Sequence, residues 1–285
     1  MYKLNELFAT FTIPANEWIQ SAILWAVLHF RPVFLAIRWP VSASLEVLDQ
    51  FLRDVPAMIS LVVIGFLAWR ASGVRLAIGS VAGFLLIGFL GLWDMAMTTV
   101  AMVLTSVIFC IVIGVPIGIV VSRSTRLERV VRPVLDAMQT TPTFVYLVPI
   151  VMLFGIGNVP AVIATIIVAL PPTIRLTSLG LREVDPDMVE AGRAFGCTSM
   201  QLLTEIQVPL ALPTIVTGIN QSLMLSLSMV VIAALIGAGG LGLAVYSGIN
   251  RLDVGVAATA GLAIVLIAII MDRIGQAFVN RSSET

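Results

Sequence analysis

"EAGRAFGCTSMQLLTEIQVP", residues 190–209, is a stretch that a bilayer would reject, set between two that it would accept. "VPAVIATIIVALPPTIRLTSL" (159–179) precedes it and "LALPTIVTGINQSLMLSLSMVVIAALI" (210–236) follows it, each about the 20 mainly apolar residues that cross a hydrocarbon core. A polar block of this size between two spans is either an ordinary interhelical loop or a structured protrusion. Its own pattern favours the protrusion. Asp185 followed by Pro186 forms an N-cap and first-turn pair, and Glu190 falls in the second turn. Gly196 suits a helix stop, Thr198 or Ser199 suits the cap of a second short helix, and Pro209 marks the start of the next span. Two short helices then lie on one membrane face, with the small residues Ala191, Gly192, Ala194 and Gly196 giving another protein's backbone room to approach.

Composition agrees with a membrane location. Of 285 residues, 59% are hydrophobic and only 11% charged, with mean hydropathy +1.06. Sixteen basic and sixteen acidic side chains are too few to cover a soluble surface, so the fold class is an all-α polytopic membrane protein. The formal charge is zero, which argues against a nucleic-acid partner. Seven apolar segments are candidate spans, the first of them short at 15 residues: 55–69, 76–93, 96–121, 134–154, 159–179, 210–236 and 254–271. Arginine marks alternate turns. Arg70 and Arg75, then Arg123, Arg126, Arg129 and Arg132, then Arg175, Arg182 and Arg193 fall on one side, and Arg273 and Arg281 follow the last span. The positive-inside rule puts these turns and the C-terminus in the cytoplasm and the N-terminus outside. Residues 1–54 then read as an extracytoplasmic or interfacial segment and 55–272 as the transmembrane domain, with a cytoplasmic loop at 183–209. Residues 273–285 read as a cytoplasmic tail.

Within the first segment, residues 18–40 contain Trp18, Trp25, Trp39, His29, Arg31, Pro32 and Arg38. Tryptophan favours the headgroup zone and a mid-bilayer arginine costs roughly 3 kcal/mol, so an interfacial helix ended by a proline break is expected. Gly79 and Gly83 form a small-xxx-small pair suited to close helix approach. Cys110 and Cys197 read as packing residues.

Chemistry is sparse. The sequence has no GxxxxGK[ST] loop, and Lys3 is its only lysine, so the chain cannot itself cradle ATP in a P-loop. There is no HExxH, Cys/His cluster or GxSxG elbow. An ion-driven carrier would need ionisable groups near mid-membrane, whereas Asp94, Asp136 and Asp272 all sit near span ends. A carrier and a non-transporting scaffold are the competing classes.

The polar block resembles the EAA loop of ABC importer permeases, whose pattern is Glu-Ala-Ala, three residues, Gly, nine residues, Ile, one residue, Leu-Pro. Here it reads Glu190, Ala191, Gly192 for the second Ala, Gly196, Ile206, Val208 for Leu, and Pro209, with every spacing kept. The surrounding sequence, "LDAMQTTPTFVYLVPIVMLFGIGNVPAVIATIIVALPPTIRLTSLGLREVDPDMVEAG" and "LSMVVIAALIGAGGLG" above all, resembles the permeases for glycine betaine, proline and related osmoprotectants. The resemblance implies a MetI-like type I ABC importer permease fold of about seven transmembrane helices plus the N-terminal interfacial helix. It implies two permease copies, two cytoplasmic ATPase subunits carrying ATP and Mg²⁺, and an extracytoplasmic binding protein in a bacterial-type cytoplasmic membrane, with no cofactor in this chain. By the same resemblance, residues near 184–199 form the coupling helix, with Glu190, Ala191, Gly192 and Gly196 at the ATPase contact.

Two polar stripes are candidate pathway lining. Asp136, Gln139, Thr140 and Thr143 stand at i, i+3, i+4 and i+7, with Pro142 set to break that helix. Gln221, Ser222, Ser226 and Ser228 fall within about 160° of arc on the sixth span. Each stripe serves either a path needing weak, replaceable contacts or hydrogen bonds between helices. No aromatic cage for a quaternary ammonium accompanies them, only Phe144 and Tyr146, so selection is assigned to the separate binding protein. "GAGGLG" (237–242) reads as a tight turn, with a flexible gate as the alternative.

Overall fold

The computed structural model describes residues 14–282, and among them there are helices and turns but no strand. Lys3 and residues 283–285 lie outside the described residues, as does the side chain of Arg281. The helices are α1 (Ala15–Asp54), α2 (Ala57–Ser72), α3 (Val74–Phe89), α4 (Trp93–Ser122), α5 (Thr125–Thr140), α6 (Thr143–Phe154, opening in a 3₁₀ turn), α7 (Asn158–Arg182), α8 (Pro186–Ala194), α9 (Ser199–Ile236), α10 (Leu241–Asn250) and α11 (Val254–Ser282). Helices α1, α4, α7, α9 and α11 are long and apolar enough to cross a membrane, and α2 and α3 are shorter apolar helices of 16 residues. At 1.5 Å per residue, 16 residues reach about 24 Å, somewhat short of the hydrocarbon core.

One expectation holds and one is corrected. The segment 134–154 breaks at Pro142: α5 and α6 meet at 102°, because Pro142 has no N–H to continue the ladder and pushes Thr141 into extended backbone. Tyr146 braces the bend by donating its hydroxyl to the Met138 carbonyl at 2.9 Å. The N-terminal segment has no break at Pro32 or Pro40, since both lie inside the continuous 40-residue α1. Its first half is exposed, while Val41 and Leu45 are buried and Phe34, Leu48 and Leu52 pack inward as α1 crosses α4, α6 and α7. Residues 273–282 of the expected C-terminal tail are helical and continue α11.

The bundle is built around α7, which packs most extensively against α9 on one side and α4 on the other. Glycine makes both approaches possible. A Cβ on Gly118 of α4 would lie 2.6 Å from Thr177 Cβ and 2.8 Å from the Ile174 carbonyl, and one on Gly114 would lie 2.9 Å from Thr173 Cγ2. Toward α9, a Cβ on Gly180 would lie 2.8 Å from Thr214 Cβ, and one on Gly218 would lie 2.9 Å from Leu176 Cβ. This is the small-residue packing of membrane helices, where no water-driven burial pulls them together and close contact supplies the attraction. The expected Gly79–Gly83 pair is only half used: Gly83 meets Ile270, whereas Gly79 faces open space.

Gly118→Val is expected to destabilise the bundle by about 1–3 kcal/mol through overpacking, read as a lower thermal midpoint of the purified chain. Gly79→Val should stay within about 0.5 kcal/mol of wild type. Equal midpoints for the two variants would refute this account of α7.

Candidate functional site

The loop between α7 and α9 folds as its sequence dictates. The Asp185 side chain accepts from the Asp187 N–H at 2.9 Å, with Pro186 at the first helical position. Thr198 caps the start of α9 in a reciprocal box with Gln201. Between these caps α8 ends in a Schellman motif: Cys197 N–H donates to the Gly192 carbonyl at 3.1 Å, and Gly196 N–H donates to that of Arg193 at 3.0 Å. Gly196 holds φ +83° there, with open space around its Cα.

The two glycines of the block therefore differ. Gly192 is buried: a Cβ on it would lie 2.5 Å from Ile206 Cδ1 and 2.9 Å from Leu202 Cδ1, so it lets α8 lie flat against the start of α9. Ile206 is the other half of that contact, inside a π-helical turn over Leu202–Gln207. Gly196 is exposed and sets the turn. Glu190, Ala191 and Pro209 are exposed as well. Phe195 escaped the sequence reading: the residue is 90% exposed at the tip of α8, and Met188 and Met200 of the same loop are exposed too. A bulky apolar residue at the stop of a polar helix, beside Gly196, was the available signal.

The two polar stripes divide differently from their sequence spacing. Asp136, Gln139 and Thr140 are exposed on α5, but the bend at Pro142 separates them from half-buried Thr143. Asp136 Oδ1 accepts from Arg175 Nη2 at 2.6 Å. On α9, Gln221 and Ser228 are exposed while Ser222 and Ser226 are fully buried. Ser222 donates to the Ala169 carbonyl of α7 at 2.5 Å. Its Oγ also lies 2.7 Å from Thr173 Oγ1, and because its only proton is already used, Thr173 is the donor of that second bond. Ser226 bonds back to the Ser222 carbonyl. Ser222 thus joins α9 to α7, Ser226 is buried but bonded within α9, and Gln221 and Ser228 stay exposed. Helix α9 also touches the Thr143–Tyr146 turn, so the elements carrying the two stripes meet.

At the other end of α9, Gly237 and Gly240 take φ of +78° and +75°. The turn is pinned by Gly239 N–H to Asn158 Oδ1 at 2.6 Å, Leu241 N–H to Thr99 Oγ1 at 2.9 Å and Gly157 N–H to the Ile236 carbonyl at 2.9 Å. It is a bonded tight turn.

Helices long and apolar enough to cross a membrane thus carry, on the loop between two of them, a short capped helix with an exposed tip. The family model for binding-protein-dependent transport system inner membrane components matches residues 111–284, and the chain belongs to that family. The glycine betaine/proline betaine transport system permease ProW of Escherichia coli (strain K12) is 51% identical over 284 residues, all of this chain and 80% of that protein. The glycine betaine permease OpuAB of Bacillus subtilis (strain 168) is 47% identical over 93% of this chain and 94% of its own length. The glycine betaine/carnitine permease GbuB of Listeria monocytogenes (serotype 1/2a, strain 10403S) is 45% identical over 94% of this chain and 96% of its own. Among solved structures, the inward-facing MetNI methionine ABC transporter is similar at TM-score 0.61 and 26% identity, covering 67% of this chain and 95% of that one. The fold is thus that of a MetI-like ABC permease, and the chain is a transport subunit rather than an enzyme.

Gly196→Ala is expected to strain the loop by about 1–2 kcal/mol, since a Cβ is disfavoured at φ +83°. Hydrogen exchange of the Cys197 amide should then quicken by about 5- to 30-fold, with protection of α4 and α7 unchanged. An unaltered Cys197 rate would show that the Schellman turn does not hold the loop.

Proposed function

We propose that this chain carries glycine betaine, proline betaine and similar methylated-nitrogen zwitterions across the cytoplasmic membrane, as one of two permease copies in an ATP-driven importer. The observation that carries the substrate class is likeness along the whole chain to permeases named for glycine betaine. The carnitine in one relative's name fits the same chemistry.

In this reading the loop 183–209 faces the cytoplasm and docks on a separate ATPase that holds ATP and Mg²⁺. Phe195 is the anchor, Glu190 and Ala191 flank the contact, and Gly192, Gly196, Ile206 and Pro209 shape the loop that presents it. A buried aromatic anchor dominates the energetics of many protein interfaces. The loop leaves α7 at Arg182, reaches α8 after three residues and enters α9 at Ser199. Because α7 and α9 are glycine-packed and tied by the Ser222 and Thr173 bonds, movement of the docked loop shifts both helices together. ATP closure on two such loops drives the two α7–α9 units, and the path opens outward; hydrolysis resets it. The solute passes Asp136, Gln139 and Thr140 of one stripe and Gln221 and Ser228 of the other, with Thr143 at the bend between α5 and α6. Ser222 and Ser226 contribute through helix packing. Solute arrives from an extracytoplasmic binding protein, the C-terminus is cytoplasmic, and the exposed Trp18, Trp25 and Trp39 of α1 lie at the outer interface.

The test is reconstitution of the chain with its ATPase and binding protein in vesicles, comparing ATP-driven uptake of glycine betaine, proline, carnitine and choline. Glycine betaine uptake is expected, and uptake driven by an ion gradient without ATP would overturn the reading. Phe195→Ala should weaken ATPase assembly by about 2 kcal/mol or more, roughly thirtyfold, measured by titrating the ATPase onto immobilised permease. Gln139→Leu combined with Gln221→Leu should lower uptake while leaving assembly intact. Full uptake by that double variant would remove both residues from the path.

A further inference from the structure

Helix α5 lies along the C-terminal half of α7, and between them is a crevice of about 260 Å³. Its polar lining includes Arg132 from α5, and Arg175, Ser178 and Arg182 from α7. The last three stand at i, i+3 and i+7, so they form one stripe about 10 Å long on a single helix face.

Charge in this crevice is unbalanced. Arg175 pairs with Asp136 at 2.6 Å. Arg182 pairs with Glu128 and also donates to the Val121 carbonyl at 2.9 Å. Arg132 sits one turn from both acids on α5 and has no carboxylate partner among the described residues. Three guanidinium groups therefore face two carboxylates. Between Arg175 and Arg182 lies the hydroxyl of Ser178, which is 6% exposed and has no hydrogen-bond partner. A buried hydroxyl left unmatched is uncommon, and each instance calls for a partner. An oxygen acceptor carrying negative charge would meet this hydroxyl and the spare guanidinium donors together.

We propose that this crevice binds the phosphoryl headgroup of an anionic glycerophospholipid. The flat five-donor fork of arginine matches phosphate oxygens, and a basic pocket between membrane helices suits such headgroups. The walls decide for a lipid over free phosphate. Leu135 and Ile174 are apolar and buried inside the crevice, and Leu179, also in its wall, is 43% exposed. A soluble anion would leave these surfaces uncovered, whereas glycerol and the first methylenes of an acyl chain cover them. The bound headgroup bridges α5 to α7, the helix that leads directly into the docking loop.

The test uses native mass spectrometry on the full chain in complex with its ATPase, titrated with phosphatidylglycerol, phosphatidylcholine or inorganic phosphate. Phosphatidylglycerol is expected to be retained, one per permease copy, under conditions that strip phosphatidylcholine. Arg132→Gln should reduce that retention about tenfold or more, and Ser178→Ala should reduce it to a smaller extent. Arg123→Gln, an exposed arginine outside the crevice, should leave it unchanged. Equal retention of phosphatidylcholine, or no loss in both crevice variants, would overturn the proposal. So would an equal loss in Arg123→Gln, which would mean diffuse charge attraction, or displacement of the lipid by inorganic phosphate, which would mean a soluble-anion site. The readout is binding alone, so it does not depend on which solute is transported.

Discussion

The structure depends on how closely two helices can approach α7. Gly114 and Gly118 bring α4 against Thr173 and Thr177, and Gly180 and Gly218 bring α9 against the opposite side. In a bilayer the surrounding lipid is as apolar as a leucine side chain, so burial alone does not hold helices together. Backbone proximity supplies dispersion contacts, and it brings Ser222 within reach of the Ala169 carbonyl. The result is a closely packed three-helix unit, with a loop at one end and a bonded glycine turn at the other.

The loop depends on that block in turn. Gly192 lies under Ile206 and Leu202, so α8 is pressed onto the first turns of α9 and does not swing freely from two tethers. Gly196 then turns the chain through a left-handed residue and leaves Phe195 on the outside. Glycine therefore serves the loop in two ways: Gly192 is small because the loop folds back on its own chain, and Gly196 supplies the positive φ of the turn.

Packing also sorted the polar side chains that the span sequence left equivalent. Ser222 and Ser226 differ from Gln221 and Ser228 by about a quarter to a half turn of helix, and all four are uncharged hydrogen-bonding groups. Only the position of α7 decides that the first pair is buried, with Ser222 bonded across to Ala169, and that the second stays exposed. Pro142 acts in a similar way on the other stripe, since its missing N–H turns the chain by 102° and removes Thr143 from the face of Asp136.

The sequence by itself determined the membrane class, the seven apolar segments, the capped loop and the family, because each rests on local information. A span needs a run of apolar residues, a cap needs a side chain within three positions of its amide, and a motif needs fixed spacing. Even the bend at Pro142 could be read, though its angle could not. The tertiary structure alone decided that α1 runs unbroken through two prolines, that Gly118 rather than Gly79 meets another helix, and that Arg175 finds Asp136 across 39 positions of chain. These outcomes depend on which face of one helix meets which face of another. A uniformly apolar helix carries little periodicity to specify that, so the glycine contacts and a few interhelical bonds choose it.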